Sequence, residues 1–242
     1  MSPTTESPRD DFDEFARDYG ETLDESLAAT GAGRDFFAWN RVDWMKRLEA
    51  RAGRSPSRIL DLGCGDGVTE VYLAEAFPQA TFSGIDVSDE SIKVAAERGL
   101  QRCDYCSFDG RSVPFADQSF DAVFIAGVLH HITDDENRAQ VLGEVNRVLR
   151  PGAPVYIFEQ NPSNPVTRRI VDRCPFDKHA RLLSSSELRS LMTNAGLSDL
   201  GTYFILFSPR HKIFAPIHAI EPLLRHVPIG GQYFKIGIKP GV

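Results

Sequence analysis

The stretch Ile59-Leu60-Asp61-Leu62-Gly63-Cys64-Gly65-Asp66-Gly67, followed by Gly84-Ile85-Asp86, constrains this chain more than any other feature. Three glycines at alternate positions close an apolar run and open a helix-like one, and an acidic residue ends the next apolar run. Glycine in such a turn accepts φ > 0 and lets a ligand approach the backbone with no Cβ in the way. The helix that follows offers N–H groups without intrahelical partners, which suit a carboxylate or phosphate. An acid at the end of the second strand is placed to accept two hydrogen bonds from a ribose diol. The pattern reads as a site for a nucleoside-bearing ligand at the carboxyl ends of parallel strands.

From residue 58 onward the hydrophobic pattern alternates strand and helix. Strands are predicted at 58–62, 81–85, 103–107, 120–126 and 153–159, and helices at 67–77, 89–98 and 136–148. Such alternation predicts an α/β fold with right-handed crossovers and a parallel sheet covered on both faces. A further helix is predicted at 184–195, with Ser184 as N-cap and Glu187 completing a capping box. Strands follow at 201–208 and 232–238. Between them, 211–227 places Ile213, Phe214, Ile217, Ile220, Leu223, Leu224 and Val227 on one helical face, with a kink at Pro222. The expectation is a helix packed on the domain or closing as a lid, with a membrane-surface helix as the alternative. Upstream, residues 1–11 read as a disordered tail and 12–53 as an N-terminal helical lid. Phe12, Phe15 and Tyr19, then Val42, Met45 and Leu48, fall there at helical spacing. Residues 54–242 form the main domain in this reading.

A net charge of -7 over 242 residues argues against general nucleic-acid binding, which wants a basic face. No apolar run is long enough to span a bilayer, and the polar first residues lack the apolar core of a secretory signal. Four cysteines without framework spacing suit a reducing, cytoplasmic location. Cys103 and Cys106 form a lone CxxC inside a strand-like run, which reads as structural because a zinc site needs more ligands.

Five blocks in order then resemble one family. Asp61-Leu62-Gly63-Cys64-Gly65-Asp66-Gly67, Gly84-Ile85-Asp86-Val87-Ser88, Phe108-Asp109-Gly110, Phe120 to Ile132 and Leu149-Arg150-Pro151-Gly152-Ala153 resemble the motifs of class I S-adenosylmethionine (SAM) dependent methyltransferases. The resemblance implies a Rossmann-like seven-stranded, mostly parallel sheet with helices on both faces and an antiparallel last strand. It implies SAM as cofactor. Gly63, Gly65 and Gly67 would fold around its methionine part, and Asp61 would order the loop and accept from its ammonium. Asp86, with Val87 beside it, would hold the ribose, and Asp109 with Gly110 would reach the adenine. Ala126, Gly127 and Val128 would line the floor near the sulfonium, Tyr19 would close over the cofactor, and Arg41 would touch its carboxylate.

Methyl transfer is an in-line displacement, so positioning carries most of the acceleration. A neutral hydroxyl acceptor also benefits from a general base. His130 and His131, just after the fourth strand, are the candidates. The alternative is that they only pack or hydrogen-bond their loop. The segments 161–183 and 209–231 are expected to be acceptor-side insertions, and Arg168 and Arg169 hint at an anionic small molecule. The reading is therefore methyl transfer to an oxygen nucleophile (carboxylate, hydroxyl or sugar) of a small-molecule acceptor, with no nucleic-acid partner and no integral membrane segment. Carbon methylation of a quinone-like or lipid acceptor, with peripheral membrane contact, is its main rival. A nicotinamide oxidoreductase would prefer Gly-x-Gly-x-x-Gly, and here the third glycine comes one residue early. A non-catalytic SAM-binding module finds no support in the intact motifs. Monomer and homodimer both stay open.

Overall fold

A computed structural model describes Asp13 and residues 19–241. The expected tail at 1–11, Phe12, Phe15 and the side chain of Tyr19 lie outside the described residues. From residue 19 the described chain opens with α1 (Tyr19–Leu27) and α2 (Arg34–Arg51), separated by a 3-10 turn at Ala28–Thr30. There follow β1 (Arg58–Leu62), α3 (Val68–Ala76), β2 (Thr81–Asp86), α4 (Asp89–Glu97), β3 (Cys103–Ser107), β4 (Ala122–Ala126), α5 (Asp135–Val148) and β5 (Pro154–Gln160). The chain continues through α6 (Pro165–Val171), a 3-10 turn at Pro175–Asp177, α7 (Ser185–Asn194) and β6 (Ser198–Ile205). It ends with a 3-10 turn at Lys212–Phe214, α8 (Ala215–Leu224) and β7 (Gln232–Ile238).

The seven strands form one sheet in the order β3-β2-β1-β4-β5-β7-β6. The pairs among β1 to β5 are parallel, and β7 runs antiparallel to both β5 and β6. The expected Rossmann-like architecture is thus present, including the antiparallel last strand. The strand period of two sorts side chains onto two cores. Leu60, Leu62, Val123, Ile125, Val155 and Ile157 face one core with α5 and α7. Ile59, Phe124, Tyr156 and Phe158 face the other, with Val42 and Met45 of α2 and Leu73 of α3. The capping box at Ser184 and Glu187 forms as predicted.

Several boundaries shift. The fourth strand starts at Ala122, because Phe120 makes only a single bridge to Leu149. The sixth strand runs earlier than the predicted 201–208, and Leu206 at φ 62 turns the chain out of the sheet. The expectation that 211–227 packs its apolar face on the domain needs correction. α8 is shorter and buries no residue fully, and Ile213 and Leu223 are about 80% exposed. Its neighbours cover Phe214, Ile217 and Leu224 only in part.

The helical lid expected at 12–53 also needs correction, because α2 is part of the core. Met45 is fully buried, and Glu49, only 1% exposed, accepts from Arg54 at 2.8 and 2.9 Å and from the Tyr156 hydroxyl of β5. Glu49→Ala strands the tyrosine hydroxyl and loosens Arg54, which still reaches water. The expected cost is about 2 kcal/mol in urea unfolding. An unchanged midpoint would mean that α2 is not anchored to the sheet through this group.

Candidate functional site

The carboxyl ends of β1, β2 and β4 meet at the glycine turn. The Gly63 and Cys64 N–H groups donate to the Ile85 carbonyl at 2.7 and 3.1 Å, which ties the turn to β2. Gly63 has φ +79, and a Cβ there would lie 2.2 Å from Val128 Cγ2, so only glycine allows the β4 loop this close. Gly65 has φ +54, and a Cβ there would meet nothing within 4 Å, so its backbone faces open space. Asp86 ends β2 and organises the turn: Oδ2 accepts from the Gly65 N–H at 2.9 Å and Oδ1 from the Ser88 N–H at 3.0 Å. Burial raises its pKa above the usual carboxylate range even against those hydrogen bonds.

Asp61 is 3% exposed, and its Oδ2 has no hydrogen-bond partner among the described residues. Burial, then the charge of Asp86, push it up to about 8, while Arg41 pulls it down. A buried acceptor without a partner is costly unless something else satisfies it. Arg41 Nε donates to Gln232 Oε1 at 3.3 Å, so α2 spans from the Asp61 environment to the start of β7. Gly110 and Val87 come together, the Cβ position of Gly110 lying 3.2 Å from Val87 Cγ1. Asp109 is exposed, and one of its oxygens accepts from the Arg111 and Ser112 N–H groups at 2.8 and 2.7 Å. The Gly127 N–H donates to the Phe158 carbonyl at 2.9 Å, which fixes the turn at Ala126, Gly127 and Val128 at the end of β4.

These residues fit SAM. Buried Asp61 and half-buried Asp86 suit its ammonium and ribose diol, the partnerless oxygen of Asp61 offers an acceptor, and the glycine backbone leaves room for its chain. Sequence reasoning missed the layer beneath the turn. Glu70 is fully buried with neither oxygen partnered among the described residues, and Tyr105 Oη is likewise unpartnered. Asp66 is held by Arg34 at 2.5 Å and Arg98 at 2.7 Å.

His130 is not placed as a general base, which corrects the expectation for that residue. It is 3% exposed, Nδ1 lies 2.6 Å from Glu159 Oε2, and Nε2 lies 3.4 Å from Asp177 Oδ1. Burial pulls its pKa down, but Glu159 and Asp177 outweigh burial and hold it at about 9. His131 Nε2 lies 3.6 Å from the same Asp177 oxygen. Burial, then the neighbouring His130, push His131 down to about 3. Glu159 also accepts from the Leu129 N–H at 2.9 Å. Its position at the end of β5, beside the β4 loop, is a signal that the strand pattern alone contained.

An apolar cleft of about 150 Å³ opens next to Gln232. Leu27, Phe36 and Phe37 line one wall, Ile170 of α6 another, and Leu206 and Phe207 a third. Ser208 and Arg210 belong to this lining, and Ser208 Oγ and Arg210 Nε are buried without a hydrogen-bond partner among the described residues. Arg210 also pairs with Glu221 at 2.9 Å and stacks on Phe36. Arg168 and Arg169 stay exposed on α6 and do not line the cleft. α6 turns Thr167 and Ile170 inward instead.

A family model described as a methyltransferase domain matches residues 59–152. The chain is 30% identical over 128 residues to phthiotriol/phenolphthiotriol dimycocerosates methyltransferase 1 of Mycobacterium ulcerans, covering 52% of this chain and 46% of that protein. It is 34% identical over 121 residues to "Probable tRNA methyltransferase 9B" of Mus musculus, covering 50% of this chain and 25% of that one. The chain thus spans about half or less of these relatives. A SAM-dependent methyltransferase from Thermotoga maritima has the same fold, with a TM-score of 0.65 at 19% identity over 96% of this chain and 100% of that one. Among the described residues, no helix is long and apolar enough to cross a membrane.

Proposed function

We propose that this chain is a class I SAM-dependent methyltransferase, the reading that its matches and fold support, and that it methylates a small, largely apolar acceptor at oxygen. SAM, when bound, supplies a methyl group activated by the positive sulfur. The protein's own residues position both reactants. Asp86 holds the ribose diol, Asp61 accepts from the ammonium, and Val87, Asp109 and Gly110 border the adenine. The floor of Ala126, Gly127 and Val128 fixes the height of the reacting centre.

The observation that carries the acceptor class is the lining of the cleft, mostly apolar side chains such as Phe36, Phe37, Ile170 and Phe207 with Ser208, Arg210 and Gln232 among its polar residues. Apolar walls select the acceptor's body, and the polar residues among them select an oxygen function on it. Arg41 and Gln232 link this cleft to the donor side. The segments 161–183 and 209–231 contribute part of the lining, Thr167 and Ile170 from the first and Pro209 and Arg210 from the second, which supports reading them as acceptor-side insertions. The chain's charge of -7 favours such a molecule over a nucleic acid. With His130 held on both nitrogens, positioning rather than that histidine supplies the rate. A second reading, carbon methylation of a lipid or quinone-like acceptor with peripheral membrane contact, draws on the exposed Ile213 and Leu223.

The test is incubation with methyl-labelled SAM and a panel of fatty acids, hydroxylated polyketides, quinols and tRNA. Label in an organic extract as an alkali-labile or ether-linked methyl supports oxygen transfer, and Ser208→Ala with Arg210→Ala should raise the acceptor KM. A carbon-bound methyl favours the second reading. Label confined to tRNA overturns both.

A further inference from the structure

The cluster of His130, His131 and Asp177 has the geometry of a metal centre, and nothing in methyl transfer requires it. We propose that these three side chains bind one divalent transition-metal cation of the zinc type, with a fourth position open to water or an acceptor oxygen. This goes beyond the methyltransferase reading and does not depend on it.

The distances carry the argument. Asp177 Oδ1 lies 3.4 Å from His130 Nε2 and 3.6 Å from His131 Nε2, and the three ligand atoms lie within 4.8 Å of one another. Zinc bonds of 2.0–2.1 Å at tetrahedral angles place neighbouring ligand atoms about 3.3–3.4 Å apart. A cation therefore fits between these atoms with small side-chain adjustments. Two imidazoles and one carboxylate also match the ligand chemistry of catalytic zinc, which keeps a position for an exchangeable oxygen.

The surroundings provide the second support. Metal-bound histidines are oriented by a carboxylate on their other nitrogen. Glu159 is in that place, 2.6 Å from His130 Nδ1, and is itself fixed by the Leu129 N–H. The segment bearing Asp177 is tied down on both sides. The Asp177 N–H donates to the Cys174 carbonyl at 3.1 Å, and the Arg181 N–H donates to the His130 carbonyl at 2.8 Å. The ligands thus come from two segments that already grip each other. The site adjoins the donor floor, since His130 Cε1 lies 3.6 Å from the Cβ position of Gly127. An oxygen on the fourth position would sit beside the reacting centre.

The test uses the full chain, stripped with chelator and titrated calorimetrically with ZnCl2, with CoCl2 absorbance in parallel. One ion per chain is expected, with an intense tetrahedral cobalt spectrum. Glu159→Gln should weaken zinc binding about 10- to 100-fold, and His131→Ala and Asp177→Asn by more. Circular dichroism establishes that each variant is folded. Replacing His211, His218 and His226 by alanine should leave binding intact. No saturable binding by folded wild type overturns the proposal. So does undiminished binding by both His131→Ala and Asp177→Asn, or an octahedral cobalt spectrum in the wild type, a readout that needs no variant to fold.

Discussion

Asp86→Ala should lose S-adenosylhomocysteine binding by at least about 100-fold in calorimetry, the largest effect of any single change at the donor site. Two terms combine. In the proposed site a ribose diol would donate to the carboxylate in two charge-assisted hydrogen bonds, each worth about 1.5–3 kcal/mol. The same carboxylate also accepts from the Gly65 and Ser88 N–H groups, so its removal unpins the turn that must lie along the ligand. Asp86→Asn separates these terms. Its amide keeps one acceptor for a backbone N–H but loses the charge and faces the other donor with an N–H of its own. Affinity should therefore fall for asparagine nearly as far as for alanine, while the melting temperature falls less. Undiminished affinity in folded Asp86→Ala would remove the ribose assignment, and with it the placement of the donor across β1 and β2.

The parts of this site that were legible in the sequence are those set by local backbone chemistry. Gly63 and Gly65 announce left-handed conformations that other residues avoid, and the observed φ values agree. The apolar runs ending at Leu62 and Asp86 place an acid at a strand terminus, because strand ends are where apolar periodicity stops. What stayed hidden depends on where separated segments meet. His130 looked like a base because nothing nearby in the chain says that Glu159 and Asp177 close on both its nitrogens. Arg168 and Arg169 looked like an anion site because a local excess of charge does not say which way a helix faces. α6 presents Ile170 to the cleft and sends both arginines to solvent. The stripe on α8 illustrates the same limit. Periodicity identified an apolar face, but only packing decides how much of it is covered, and Leu223 is left exposed.

Asp61→Asn should raise the stability of the ligand-free protein at pH 8 while weakening its hold on S-adenosylhomocysteine. Burial and Asp86 hold Asp61 at about 8 in the folded state, against an ordinary value of 3.8. An acid whose folded pKa is raised keeps its proton in the folded state after the unfolded chain has released it. Between pH 4 and pH 8 the folded state binds more protons, so this group makes stability fall as pH rises through that window. Asparagine removes the titration. Its melting temperature should exceed that of wild type by a few degrees at pH 8, and the gap should close towards pH 4. Ligand binding reverses the balance. An ammonium against Asp61 requires the carboxylate, so wild type at pH 7 should release about one proton per site on binding. Calorimetry in two buffers of different ionisation enthalpy measures that release, and the asparagine variant should show none. Equal proton release in the two proteins, or equal affinity, would place the ammonium elsewhere. The expected pattern instead makes Asp61 a residue whose cost to the fold is offset only when the donor is bound. That explains why a buried carboxylate stands on β1 with an oxygen that no described residue satisfies.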